Sequence, residues 1–334
     1  MSETVAPAPL VLDATVLTGA VAEAVLDHAL VARADVAIFD VSGPGAVQCL
    51  QGILTADVEK PGDGGHVYGA VLTPKGMIVT DLWAWRDPAG ATLIVPETGS
   101  AALREIFSRT LPPRLARATE RRDTELFRVV GPEGVDALVR AGIAVPEPGR
   151  VHTAIAGSLS VTIARPAEGA SFSADVLVSA DHAESLLDRL RTARILTGAD
   201  TALELARVLA GWPRLGSEIG EKTLPQEVRY DAIGGVSYTK GCYTGQETVA
   251  RVHFRGHPNR QMVGLIWNGV PDAAASEVFQ DDQPRGRVGT VLWLEPVERW
   301  IGLAVVRREL APDRPVLAAG AEAAVVELPF RIDQ

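Results

Sequence analysis

One stretch concentrates residues able to do chemistry: Lys240-Gly241-Cys242-Tyr243-Thr244-Gly245-Gln246-Glu247, continuing to Arg251 and Arg255. Cys242 is one of only two cysteines, the other being Cys49, so a thiol here is a rare resource in the chain. Gly241 and Gly245 flank the thiol, and glycine permits the positive φ and close backbone approach of a tight turn. Thr248-Val249-Ala250-Arg251-Val252 then leaves the turn as a helix or a strand. The chemistry on offer is a tuned thiol, because the thiolate is the reactive form and a nearby cation or helix N-terminus favours it. Lys240 is a candidate cation, and so is Arg251 if the segment is helical. The alternative is a structural loop whose small thiol packs into the core.

Composition bounds what such a site can serve. A chain of 334 residues, 47% apolar and 22% charged, has the make-up of a globular protein with a sizeable core and two or three domains. Its net charge of −10 argues against general nucleic-acid binding, which needs a basic face, but leaves room for one local basic pocket. Two cysteines form no disulfide framework and fit a reducing, cytoplasmic setting. Nor can they supply the four thiolates of an iron–sulfur cluster, so any cluster is expected on a partner. Met1-Ser2-Glu3-Thr4 does not open a secretory signal, and no apolar run reaches the roughly 20 residues of a membrane span. Cys242, His253 and His257 offer three soft ligands where a structural zinc wants four, so no metal site is assigned. No phosphate-binding glycine loop is present, and Gly62-Asp63-Gly64-Gly65 reads as a turn.

The elements that must hold the stretch follow from periodicity and turn signals. Residues 1–10 are Ala/Pro-rich and expected to be disordered. Residues 21–34 read as a helix, 36–41 as a strand, and 46–52 as a short helix in which Cys49 packs. Residues 64–72 and 77–85 read as a hairpin around Thr73-Pro74-Lys75-Gly76. A strand at 91–96 and a helix at 99–110 precede Arg114, Arg117, Arg121 and Arg122, a basic edge or anion-facing patch. Strand, Gly-Pro turn and helix then recur over 125–141, followed by strands at 158–164 and 175–179 and helices at 183–196 and 201–210. Two such halves fit two ferredoxin-like α+β units in one body. From about residue 260, short apolar strands separated by Gly, Pro and Asp suggest a small antiparallel β-barrel. The fold class is therefore α+β with a C-terminal barrel, divided as a body over 10–256, in two parts at about 10–120 and 121–256, and a barrel over 257–334.

Lys240-Gly241-Cys242-Tyr243-x-Gly245-Gln246-Glu247, extended by Val249-Ala250-Arg251 and Phe254-Arg255-Gly256, resembles the signature of the YgfZ-type tetrahydrofolate-binding proteins, relatives of the aminomethyltransferase (GcvT) of the glycine cleavage system. The resemblance implies two intertwined subdomains with a folate channel between the parts, tetrahydrofolate or another reduced folate as ligand, and support of the assembly or repair of iron–sulfur enzymes, which would be the partners. Leu72-Thr73-Pro74-Lys75-Gly76, running on to Asp81 with Met77 in place of an arginine, resembles a family segment whose following strand carries, in the aminomethyltransferases, two adjacent acids near the reactive folate nitrogen. Here the pair is Thr80-Asp81, so Asp81 stands alone, either facing folate or facing outward. The loop over 165–173 is where those enzymes place an acid against the pterin, and Glu168 and Asp175 are both candidates. Arg207, in Arg207-x-x-x-Gly211-x-Pro213, is a candidate for the folate glutamate or a helix-surface ion pair. Gln246, Glu247 and Arg251 complete the binding set. Lys240 and Arg251 would keep Cys242 partly ionised, facing the channel or the surface beside it, and Glu247 would anchor the turn through backbone N–H bonds. The leading expectation is a folate-binding accessory protein. Its alternatives are a folate-dependent one-carbon transferase, which the missing acid disfavours, and an interaction scaffold.

Overall fold

A computed structural model describes residues 8–13 and 15–331 of the chain. The fold is α+β and consists of three sheets. The first has five antiparallel strands in the order His66–Leu72, Ile78–Asp87, Gly90–Pro96, Val36–Ser42, Arg117–Arg121, with helices Ala46–Ile53 and Glu97–Thr110 on one face. The second has six strands, antiparallel except that Leu196–Thr197 runs parallel to its neighbour, in the order Leu196–Thr197, Leu30–Arg33, Thr124–Val130, Ala174–Ser179, Leu159–Arg165, Arg150–Ala156, with helices Gly134–Arg140 and Ala183–Thr192 against it. Each therefore carries the split β-α-β arrangement expected of a ferredoxin-like unit. Leu30–Arg33 precedes the first unit in the chain yet pairs with Thr124–Val130 of the second, so the two units are interlocked by sequence order itself.

The third sheet closes on itself. Gln283–Leu294, Glu277–Gln280, Val316–Ala318, Ala321–Val326, Arg260–Trp267 and Arg299–Arg307 pair in turn, and the last pairs back to the first. The result is a six-stranded antiparallel barrel, whose longest strand runs past Glu277–Gln280 and leaves a short edge at residues 290–292. Leu10–Leu12 adds to it in parallel, Leu10 opposite Thr290.

Each body fills its own interior, and a fourth apolar core lies where the bodies meet. Strand alternation decides who faces it. Along Ile78–Asp87, Trp83 and Trp85 join the central core, as does Ile78 beyond a register irregularity, while Leu82 and Ala84 join the core of the first unit. Cys49 packs half-buried against that first-unit core.

Three readings of the sequence are corrected. Residues 21–34 are not one helix but the helix Gly19–Asp27 followed by the strand Leu30–Arg33, whose buried Leu30, Val31 and Ala32 belong to a strand with both faces covered. The stretch expected to be disordered over 1–10 falls largely outside the described residues, but Pro9 is buried and Leu10–Leu12 is a strand. Strands Arg117–Arg121, Arg150–Ala156, Glu277–Gln280 and Val316–Ala318 were not foreseen. The arginine-rich stretch after Pro113 is itself an edge strand, with Arg121 paired bidentately to Asp40 and Arg122 to Glu120.

Candidate functional site

Where the units and the barrel meet, a cavity of about 540 Å³ opens among Tyr68, Asp81, Trp83, Arg128, Glu204, Arg207 and Trp212, with apolar surface predominating. Among its lining residues is Asp81, 8% exposed, on the same strand face as Trp83. The Tyr68 hydroxyl donates to Asp81 Oδ2 at 2.8 Å and lies 3.1 Å from the Tyr230 hydroxyl. Asp81 Oδ1 is buried and has no hydrogen-bond partner among the described residues. Burial raises the Asp81 carboxyl above its ordinary range, opposed by the Tyr68 bond and by the charges of Arg128 and Arg207. Burial and the Asp81 charge also push both phenols well above 10, so they remain neutral donors.

The walls are flat and aromatic. Trp83 and Trp212 stack with centroids 5.4 Å apart and planes 20° apart, and Tyr68 lies 4.7 Å from Trp212. Trp212 reaches its place because the helix Thr201–Ala210 ends at Gly211, whose φ of 65° turns the chain sharply inward. Its indole N–H donates to Gly169 O at 3.1 Å, fixing the loop that carries Ser171 and Phe172. Arg128 crosses the Phe172 ring at 4.0 Å and holds Asp175 bidentately, Nε to Oδ1 at 2.7 Å and Nη2 to Oδ2 at 2.8 Å. Its Nη1 keeps no hydrogen bond among the described residues. Behind the aromatics, His66 is buried against Trp83 at 4.6 Å, and neither ring nitrogen makes a well-formed hydrogen bond. Burial lowers it to about 3, the Arg165 backbone opposing.

The residues singled out in the sequence divide into three places. Asp81 lies in the cavity and does not face outward. Thr80, its neighbour, faces away, packed against Gly99 so closely that a Cβ there would stand 2.0 Å from Thr80 Oγ1. Asp175 stands behind the cavity as the anchor of Arg128, and Glu168 is exposed on the loop. Arg207 lines the cavity, yet its five donors are all engaged: Nε and Nη2 with Glu204, Nη1 with Trp212 O and Glu218, Nη2 also with Thr290.

The motif occupies the third place, laid along the end of the helix Ala46–Ile53. Lys240 Nζ donates to Gln51 O, Leu54 O and Ala56 O at 2.7, 2.7 and 2.8 Å. Thr55 Oγ1 donates to Gly235 O at 2.6 Å, Ser237 N to Thr55 O, and Thr244 N to Gly52 O. Lys240 is thus a stitch across the orphan carbonyls of a helix end, with its three donors spent, and not a partner of the thiol. Burial lowers it to about 8, opposed by Asp57. The segment after the turn is the helix Gln246–Arg255, and its N-cap Gly245 is required: φ is 84° and a Cβ would stand 2.6 Å from Thr73 O of the hairpin turn. Cys242 is exposed beside the start of this helix, as is Arg251 on its outer side. Glu247 is exposed in the first turn and accepts no backbone N–H among the described residues, so it does not anchor the turn; its charge suits the helix N-terminus instead. Gln246 is half-buried. The motif does not share the cavity wall with Asp81.

Sequence reasoning had not singled out Tyr68, Trp83, Arg128, Trp212 or Tyr230. Tyr68 and Trp83 had a signal, since they face each other in the hairpin register and Trp83 has the parity of Asp81. Arg128 and Tyr230 had none, because only the tertiary fold brings them there. Among the described residues no group of three or more His, Cys, Asp or Glu is placed to hold a metal ion, and no helix is long and apolar enough to cross a membrane.

Comparison with known proteins gives a consistent picture. The GCVT N-terminal domain family matches residues 19–234. A protein named tRNA-modifying protein YgfZ from Cronobacter sakazakii is 30% identical over 280 residues, covering 81% of this chain and 82% of that one. Its namesake from Pectobacterium carotovorum is 28% identical over 321 residues, covering 93% and 94%. Among solved structures, the glycine cleavage system aminomethyltransferase T from Bartonella henselae superposes with a TM-score of 0.78 at 18% identity, covering 94% of this chain and 89% of that one, a likeness of fold. The interlocked units, the closing barrel, the family match and the YgfZ relatives together place the chain as a YgfZ-type member of the GcvT-like family.

Proposed function

We propose that the chain binds tetrahydrofolate, or another reduced folate, in the central cavity, and acts as an accessory protein in the assembly or repair of iron–sulfur enzymes. The observation that carries the folate half is the buried Asp81 carboxylate with one oxygen unpartnered, set among Trp83, Trp212 and Tyr68. A reduced pterin is flat and presents ring N–H donors at its edge. Such a group would satisfy Asp81 Oδ1 and stack on the aromatic walls. Arg128 Nη1 is the cation free to meet an acceptor on the ligand. Arg207, with every donor engaged, shapes the wall instead.

The cavity supports binding more than one-carbon transfer. A transferase of the related kind would use a second acid beside the first, and Thr80 faces away. The accessory role rests on the separate placement of Cys242, exposed on a rigidly stitched loop where another protein can reach it. The relatives are named as tRNA-modifying, which suggests a client enzyme that acts on tRNA. A net charge of −10 fits contact with such an enzyme better than with the tRNA itself. The two free cysteines suit a reducing cytoplasmic setting.

Calorimetry with tetrahydrofolate under anaerobic, reducing conditions tests the folate half: a Kd near micromolar, about −8 kcal/mol, is expected, and no saturable heat would end it. Complementation tests the other half. Cys242→Ala should lose support of iron–sulfur enzyme activity while keeping folate affinity; full support by that variant would leave the thiol without a role.

A further inference from the structure

We propose that the outer edge of the first sheet is a docking site for another protein, and that it takes an extended acidic segment, added as a further strand beside Arg117–Arg121. The cavity along this edge shares no lining residue with the central one, so the site stands whether or not folate binds.

Arg117–Arg121 pairs with Val36–Ser42 on one side only. Among the described residues no backbone group of this strand bonds outside that ladder, so the N–H and C=O groups along its outer edge are open. A cavity of about 570 Å³ lies between this edge and the helix Glu97–Thr110, with Phe39, Phe107, Leu111, Ala116 and Ala118 in its lining. Register assigns the faces. Ala118 lies opposite Val41 and Glu120 opposite Phe39, on the helix side, while Arg117 and Thr119 lie opposite Ser42 and Asp40, on the other. A strand laid along the edge would send alternate side chains into the cavity and the rest towards Arg117.

Charge selects the occupant. Arg114 and Arg117 are exposed, and neither has an ion pair among the described residues. The carboxylates nearby are already spent, Glu120 on Arg104 and Arg122, and Asp40 bidentately on Arg121. In a chain of net charge −10, this edge therefore keeps uncompensated guanidiniums, which match carboxylates. Arginines on an edge also guard it against chance pairing, but a guarded edge needs no apolar cavity beside it. A second copy fits poorly, because antiparallel pairing about Thr119 would set Arg117 opposite the other copy's Arg121. RNA would meet the same arginines but would leave the open backbone and the apolar cavity unused.

The probe is an end-capped, fluorescein-labelled hexapeptide alternating glutamate and valine, read by anisotropy, with its lysine–valine counterpart as control. The acidic peptide should bind at least about tenfold more tightly than the basic one, the scale of one charge-assisted contact. Arg114→Gln/Arg117→Gln should erase that preference with an unchanged thermal melt. Hydrogen exchange should slow over residues 117–121 when the acidic peptide is added. Two further acidic peptides, N-methylated on one or the other alternate set of residues, test the strand geometry. One should bind as the parent does and the other should fail, because only one edge of the added strand faces the protein. No saturable binding of the acidic peptide at millimolar concentration overturns the site, and equal behaviour of the two N-methylated peptides overturns the added strand. Displacement of the acidic peptide by single-stranded RNA at fixed ionic strength would give the edge to nucleic acid instead. A dimer in light scattering that the acidic peptide dissociates would make a second copy the occupant.

Discussion

Asp81 and His66 are two buried titratable groups with the rings of Tyr68 and Trp83 between them, and they make opposite predictions. Burial raises Asp81 above the ordinary carboxylate value, so its stabilising contribution is present at low pH and lost as pH rises through the raised value. The charged form of this carboxyl therefore costs stability, which is what a site kept for a ligand looks like. Asp81→Asn should raise stability at pH 7 by about 1–2 kcal/mol, with the gain shrinking towards pH 4, and should weaken folate binding by tenfold to about a hundredfold. Urea titrations at the two pH values check the first part, and calorimetry the second; a less stable variant would contradict the desolvation argument. His66 is held near 3, below its ordinary 6.5, so its contribution is present above pH 6.5 and lost as pH falls. From this group alone the protein should lose about 1.4 kcal/mol per pH unit below 6.5, and His66→Phe should have the shallower acid limb. Identical slopes between pH 7 and 5 would show that His66 finds a partner. Of these residues only Asp81 was legible in the sequence, because it sits in a motif. His66, Tyr68, Arg128 and Tyr230 are ordinary types at ordinary spacings, and their meaning comes from contacts across up to 162 positions of chain.

At the scale of elements, the motif loop shows why local chemistry misled. Lys240 two residues before Cys242 reads as a cation for the thiol, but the chain bends at residues 238–240, and Lys240 is buried while Cys242 is exposed. The ammonium instead ties the loop to the helix Ala46–Ile53, nearly 190 positions earlier. Lys240→Met would leave three carbonyls without their donor, so a loss of about 2–4 kcal/mol is expected. Hydrogen exchange should rise first over residues 236–245, and Cys242 alkylation should change less than loop protection does. Uniform exchange across the first unit would mean that the stitch is unimportant. Periodic elements such as Thr201–Ala210 and the hairpin were readable because one face is apolar and the ends carry Gly or Pro. The strand Leu30–Arg33 was not, since it is short, covered on both faces, and continuous in composition with the helix before it.

The whole molecule is held across the seam between the α+β body and the barrel by a charged knot as well as by apolar packing. Arg207 is buried, and it joins the helix Thr201–Ala210 through Glu204, the following loop through Trp212 O and Glu218, and the barrel through Thr290. Glu218 is in turn fully engaged, accepting also from the Ser217 and Thr290 hydroxyls and the Arg214 N–H. The neighbouring Leu10–Leu12 strand crosses the same seam, pairing with the barrel beside Thr290. The sequence showed that a barrel follows an α+β body but not what fastens them, because the fastening lies in a residue type that also suits a ligand. The two roles separate experimentally. If Arg207 bound the folate glutamate, Arg207→Met would weaken folate binding and leave unfolding unchanged. As the knot, its loss leaves the buried Glu218 carboxylate without its cation, which costs about 3–5 kcal/mol. Calorimetric unfolding should then split into two transitions, the barrel and the interlocked units melting apart, since the polar contacts left across the seam, Arg260 to Glu227, Arg287 to Ser217 O and Arg229 to Leu328 O, are only partly buried. Folate affinity should fall only as far as the seam loosens, so that added folate raises the first transition back towards the second. A single sharp transition, with loss of affinity at full stability, would return Arg207 to the ligand and make the barrel an integral part of one cooperative unit.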